Sequence, residues 1–346
     1  MGARDREMRV LEINGFTERA TNYDGHHEVK RLLMGRAQNR SDEERNRLGG
    51  LLQSESEAAA FQPEVIICRA LGRSYGNPAW KRPLKYVGER RVGRKVMALK
   101  ARLGVPLGVV DSTDDLMIHP ANRDLLSGCD RYFKRELAMD PFMSLGGFES
   151  SRFRRPERKR RLDVEGEGWL EKLEPLTLGL SGEVPGELRK PFGVRQWDIF
   201  YVGDGAQRPL RGEVQVLLDA LEQKGLKVYR PTERLGREEY FAEMGNARAV
   251  LSPPGFGWDC HRHYEAALMG CVVVMSFPNI RRQLVLEQGV SGLYYDPCSL
   301  SGDEIGMRLR NLVDLEEIAQ RGCEQVEKHG SHAAIFADVV RLLSSC

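Results

Sequence analysis

LSPPGFGWDCHRHYEAALMGCVVVM, residues 251–275, reads as strand end, glycine-rich loop, helix, glycine and strand. Gly255 and Gly257 allow a left-handed backbone and the close approach of a ligand. The helix that follows would offer free N–H groups and the positive end of its dipole to whatever fills the loop, which suits a phosphate. Arg262 and Glu265 stand three residues apart and so share a helix face. A guanidinium can grip diphosphate oxygens through two bonds, and a carboxylate accepts hydrogen bonds from ribose hydroxyls. As a mere surface ion pair the two would contribute only about 0.2–0.5 kcal/mol. The stretch is therefore read as a nucleoside-diphosphate site with Gly255, Phe256, Gly257, Arg262 and Glu265 as its contacts.

Outward from this stretch, short apolar runs alternate with helical patterns, which argues for parallel sheets with crossover helices. In the second half, strands are predicted at 198–202, 226–229, 249–252, 272–275 and 289–295. Helices are predicted at 213–224, with Gly225 as its C-cap, and at 237–245, 303–328 and 333–343. In the first half, MRVLEI (8–13), EVIIC (64–68) and VPLGVV (105–110) read as strands buried on both faces, and 41–60 as a polar, helix-prone surface segment. The cluster of Pro175, Gly182, Pro185, Gly186 and Pro191 marks a connection between domains.

The run Arg262-His-Tyr-Glu-Ala-Ala-Leu-Met-Gly-Cys-Val-Val-Val274 resembles the donor-domain motif of glycosyltransferase-B enzymes, and within them the exostosin-like and bacterial family-1-like transferases. Gln288 to Tyr295 resembles the glycine turn and strand that close the donor pocket in those enzymes. Tyr201-Val202-Gly203 resembles the start of their second domain, and Cys129 to Glu136 the end of their first. The resemblance is specific over about 197–297 and loose before it. It implies an α/β chain of two Rossmann-like domains, the glycosyltransferase-B architecture, with a cleft between them. The implied division is 1–180 for the acceptor side, 181–330 for the nucleotide sugar, and 331–346 as a C-terminal helix packing back on the first domain. Gly203 and Arg208 join the implied donor contacts, with Arg208 and Arg211 in a loop suited to phosphate. Retaining members carry a further glutamate upstream of the one matched here by Glu265; this chain has Gly257 there, which leans toward the inverting branch.

The 346 residues exceed what one core usually organises. With 52 basic against 50 acidic residues the net charge is +2, so no global field draws the chain to nucleic acid, and none is expected as a partner. The local run at 152–161, RFRRPERKRR, reads as a solvated linker with weak attraction for an anionic membrane or acceptor. No stretch approaches the roughly 20 apolar residues of a spanning helix. Seven scattered cysteines without close pairing suggest buried thiols in a reducing compartment, hence a cytoplasmic location.

An inverting transfer needs a base for the acceptor hydroxyl. Asp111, Asp114 and Asp115 follow a buried strand, where α/β folds place ligand contacts, although capping is the commoner use of such residues. Asp24, His26 and His27 after the first strand are rivals, so the base is left open among Asp111, Asp114 and His26. Cys260, His261 and His263 do not make a metal site, since zinc needs about four converging ligands; one of the histidines lining the donor pocket is the better reading. No cofactor or metal is expected, because cationic side chains and a helix terminus can stabilise a departing nucleotide. The expected function is sugar transfer from a nucleotide-activated donor to a glycan, lipid-linked or small-molecule hydroxyl. An epimerase or hydrolase on the same scaffold and a catalytically silent binding module are the alternatives.

Overall fold

The computed structural model describes residues 7–14, 27–34, 51–71, 82–145, 168–180, 182–203, 209–255, 257–296 and 301–346. Asp24, His26, Arg208, Phe256 and the basic run 152–161 lie outside the described residues. The chain divides into two compact units, Met1–Leu176 with His332–Cys346, and Thr177–Ser331.

The first unit holds strands β1 (Arg9–Ile13), β2 (Glu28–Leu32), β3 (Leu51–Leu52), β4 (Val65–Arg69), β5 (Leu107–Asp111), β6 (Arg131–Lys134) and β7 (Leu173–Pro175). They form one sheet in the order β3-β2-β1-β4-β5-β6-β7, with every pairing parallel. Among its described residues the helices before the C-terminal one are α1 (Glu55–Ala60), α2 (Arg82–Leu103) and α3 (Arg123–Gly128). Of the segment expected to be helix-prone, 41–60, the described part forms β3 and then helix from Glu55. Ser54 Oγ accepts the Glu57 N–H there and Glu57 Oε2 accepts that of Gln53, so the helix start is set by this reciprocal cap. Alternate residues of the strands bury against opposite layers. Leu11, Ile66, Leu107 and Val109 meet α2 and α3 through Val92, Val96, Leu99 and Leu125. Val10, Val65, Ile67 and Val110 meet the C-terminal helix.

The second unit carries β8 (Trp197–Phe200), α4 (Pro209–Gln223), β9 (Val228–Tyr229), α5 (Arg237–Gly245), β10 (Ala247–Leu251), α6 (His261–Leu268), β11 (Val272–Ser276), β12 (Leu293–Tyr295), α7 (Asp303–Arg308) and α8 (Leu312–His329). Its sheet is also fully parallel, ordered β12-β11-β10-β8-β9. Val272 and Val274 face α4 and α8, while Val273 and Met275 face α5 and α6, so the VVVM run is apolar on both sides for a reason. Gly225, at φ +83°, ends α4, and Gly270, at φ +64°, ends α6 with the Cys271 N–H returning to Ala266 O at 3.0 Å. The C-terminal helix α9 (His332–Leu343) then belongs to the first unit, where Gly108 makes room for Leu343; a Cβ on Gly108 would stand 2.6 Å from Leu343 Cδ1. Each unit is Rossmann-like. No helix among the described residues is long and apolar enough to cross a membrane.

Candidate functional site

In open parallel sheets, ligands bind beyond the carboxyl ends of the strands where the strand order reverses. In the second unit that point lies between β8 and β10. Tyr201-Val202-Gly203 leaves one strand and Ser252 to Gly257 the other, so topology brings Gly203 and the glycine loop to the same edge. Gly203 has no room for a side chain, since a Cβ would stand 2.5 Å from the Tyr201 hydroxyl.

The loop is closed upon itself. The Gly255 N–H donates to Gly257 O at 2.9 Å and approaches Cys260 Sγ at 3.1 Å, so this amide is engaged internally and not offered outward as expected. Asp259, fully buried, accepts the Leu178 N–H and the Tyr264 hydroxyl. His261 Nδ1 lies 2.7 Å from Gly179 O and, facing a carbonyl, is the donor. These bonds pin α6 at its start. At its end, buried Arg195 donates to Met269 O and Gly270 O and also to Lys190 O and Ala247 O, a cation set against the negative pole of the helix.

Arg262 and Glu265 share the α6 face toward α5. Glu265 is buried at 8% exposure, not a surface residue, and its Oε2 accepts the Tyr240 hydroxyl at 3.2 Å. Burial pushes that hydroxyl well above its ordinary range; Glu265 adds to the shift and Arg262 opposes it. Arg262 Nε is a buried donor without a partner.

His263 faces the sheet and is 3% exposed. Burial, reinforced by Arg282 and Arg262 and opposed by Asp259, brings it down to about 4, so the imidazole is neutral near pH 7. Its Nε2 lies 3.2 Å from Ser252 O and must donate. Nδ1 is then a lone-pair acceptor, buried and without a donor. Ser252 Oγ and Ser276 Oγ, at the ends of adjacent β10 and β11, are likewise buried and unpartnered. Such groups are rare enough that the pair at the carboxyl end of β10, His263 and Ser252, calls for a ligand or water as explanation. Arg282 borders the same edge, donating to the Tyr294 hydroxyl at 2.8 Å.

In the first unit, register sets Asp111 opposite Lys134 on the side facing α2 and α3. Asp111 accepts from Thr113 N and Oγ1 on one oxygen, and from Tyr132 Oη and Lys134 Nζ on the other. Burial alone would raise its pKa, but Lys134 and the hydrogen bonds outweigh it and hold the carboxyl below its usual range. A weakened base with both oxygens engaged is an anchor for the loop after β5, contrary to the expected catalytic use. Asp114 is about one-third exposed and pairs with Arg135 Nη1 at 2.5 Å. His27 Nδ1 accepts the Met8 N–H at 3.4 Å, and its ring packs on Phe336. Among the described residues no three His, Cys, Asp or Glu side chains converge as metal ligands.

Sequence reasoning missed Ser252, Ser276, Tyr240 and Arg282. A serine closing an apolar strand run was an available signal for the first two. Tyr240 and Arg282 reach the site from other elements and leave no local pattern.

No family model and no curated protein matches the chain. Solved structures do. A glycosyltransferase from Rickettsia africae aligns with TM-score 0.55 at 10% identity, covering 98% of each chain. The lipopolysaccharide outer core galactosyltransferase WaaB, in its apo form, aligns with TM-score 0.52 at 10% identity over 98% of this chain and all of its own. HepE from Anabaena in complex with UDP aligns with TM-score 0.50 at 12% identity over the same shares. The chain therefore has the fold of the glycosyltransferase-B enzymes.

Proposed function

We propose that this protein moves a sugar from a nucleotide-activated donor to an acceptor hydroxyl. The observation that carries the reading is the carboxyl end of β10, where the start of α6 brings Arg262 and the unsatisfied polar atoms of His263 and Ser252. Arg262 and the α6 terminus would hold the diphosphate and Glu265 the ribose. Arg208, from its place in the sequence, would add charge as the nucleotide leaves. These cations make a bound divalent metal unnecessary, so a chelator should leave turnover unchanged. That HepE was crystallised with UDP makes a uridine nucleotide the first to try. The exostosin-like resemblance of the α6 motif favours a hexosyl or related donor. The base is sought in Asp114 or in the segment after β1 that carries Asp24 and His26, because β1 flanks the reversal point of the first sheet.

Calorimetry with UDP, GDP, dTDP and ADP tests the reading. One of them should bind, and Arg262→Ala and Glu265→Ala should each weaken it about 10–100-fold, the range of a lost charged hydrogen bond. Binding by both variants equal to the wild type would refute the site. A catalytically silent binding module is the second reading, favoured by the saturation of Asp111; it predicts binding without transfer to any acceptor.

A further inference from the structure

The near-neutral composition hides a strong local asymmetry. Helix α2 carries eight lysines and arginines against one acid, Glu89. Part of that charge is neutralised within the first unit. Arg90 pairs with Asp124 at 2.6 Å, Lys100 with Asp130 at 2.7 Å, and Arg102 with Glu55 at 3.7 Å. The middle is different: Arg91, Arg94 and Lys95 are exposed, and none has a hydrogen-bond or ion-pair partner among the described residues. Their spacing places them on one face with Val87, 48% exposed, and with exposed Ala98 and Ala101. The opposite face, Val92, Val96 and Leu99, is buried in the core, so the stripe is held rigidly.

We propose that this face of α2 docks on an anionic lipid bilayer. A helix of 22 residues is about 33 Å long and presents its charges along a line, as a flat charged surface requires. Small apolar residues between the cations permit close approach. Nucleic acid fits less well. The exposed face has no aromatic ring among its described residues for a base to stack on. Three free cations also fall short of the roughly six to ten phosphate contacts of a strong nonspecific binder. For a bilayer each free cation near the surface adds about fivefold to partitioning, and three together on the order of 100-fold. The inference stands independently of the sugar-transfer reading.

The test is cosedimentation of the full chain with phosphatidylcholine vesicles, with and without about one third phosphatidylglycerol, at ionic strengths of about 0.1 and 0.5 M. The wild type should pellet only with anionic vesicles at the lower salt. The variant Arg91→Glu, Arg94→Glu, Lys95→Glu should lose on the order of 100-fold in partitioning. The neutral variant Arg91→Gln, Arg94→Gln, Lys95→Gln, with unchanged circular dichroism, separates charge from folding. Absence of anionic-vesicle binding, equal binding by the variants, or tighter capture by a short RNA in the same buffer would each overturn the assignment.

Discussion

Replacing Lys134 by Met would leave the Asp111 carboxylate buried without its cation, because both side chains are closed off from solvent. Removing one partner of a buried pair costs about 3–5 kcal/mol, a large share of the 5–15 kcal/mol that holds a typical domain together. The loss should fall on the first unit alone. Hydrogen exchange resolves it: amides of β5 and β6 should exchange faster by roughly two to four orders of magnitude, while those of β10 and β11 are unchanged. The double variant Asp111→Asn, Lys134→Met should recover much of the protection, since it removes the orphaned charge. The carboxyl's folded pKa lies below its unfolded one. Its contribution is therefore full above the unfolded value of about 3.9 and is lost as pH falls through the folded value. Wild-type β5 amides should lose protection only below about pH 4, and Asp111→Asn should abolish that acid sensitivity. Unchanged exchange in Lys134→Met would refute the anchoring account and return Asp111 to the list of candidate bases.

His263 is depressed, so its stabilisation is complete above the unfolded pKa near 6.5 and drains away as pH drops toward 4. The melting of the second unit should weaken across that window by up to about 3 kcal/mol, and His263→Gln should flatten the profile, as read by thermal denaturation at stepped pH. Arg195→Ala strips four backbone carbonyls of their donor and should destabilise the second unit by about 3 kcal/mol or more in urea. Gly108→Val should push Leu343 from its seat and loosen α9, at a cost of about 1–3 kcal/mol, with limited proteolysis cutting first after residue 331.

The apolar strands were legible because they are buried on both faces: EVIIC, VPLGVV and VVVM announce themselves. β2 and β6 did not, for a physical reason. EVKRL and RYFK carry charges that in isolation mark a surface, and only cross-strand register shows Arg31 meeting Glu12 at 2.7 Å and Lys134 meeting Asp111. Helix α2 was hidden likewise, its few apolar residues spaced among arginines. At the site, the loop and the helix of Arg262 and Glu265 could be read from spacing, whereas Tyr240 and Arg282 come from other elements. The glycine before Cys271 was read as punctuation, and its φ of +64° shows why no other residue serves well there.

Among the described residues, Glu12 and Asp111 of the first sheet are satisfied by their neighbours whereas His263 and Ser252 at the end of β10 are not, and that contrast bears on where a ligand is wanted. In the first unit Glu12 with Arg31 and Asp111 with Lys134, Tyr132 and Thr113 satisfy one another. A ligand entering there would have to break bonds already made. In the second unit the neutral His263, Ser252, Ser276 and Arg262 Nε keep donors and acceptors without partners. Each such atom costs the folded protein about 1–3 kcal/mol, a burden that a polar ligand arriving at the β10–β11 edge would relieve. If so, a nucleotide that fits should raise the stability of the second unit far more than that of the first. Equal stabilisation of both units would place the ligand elsewhere.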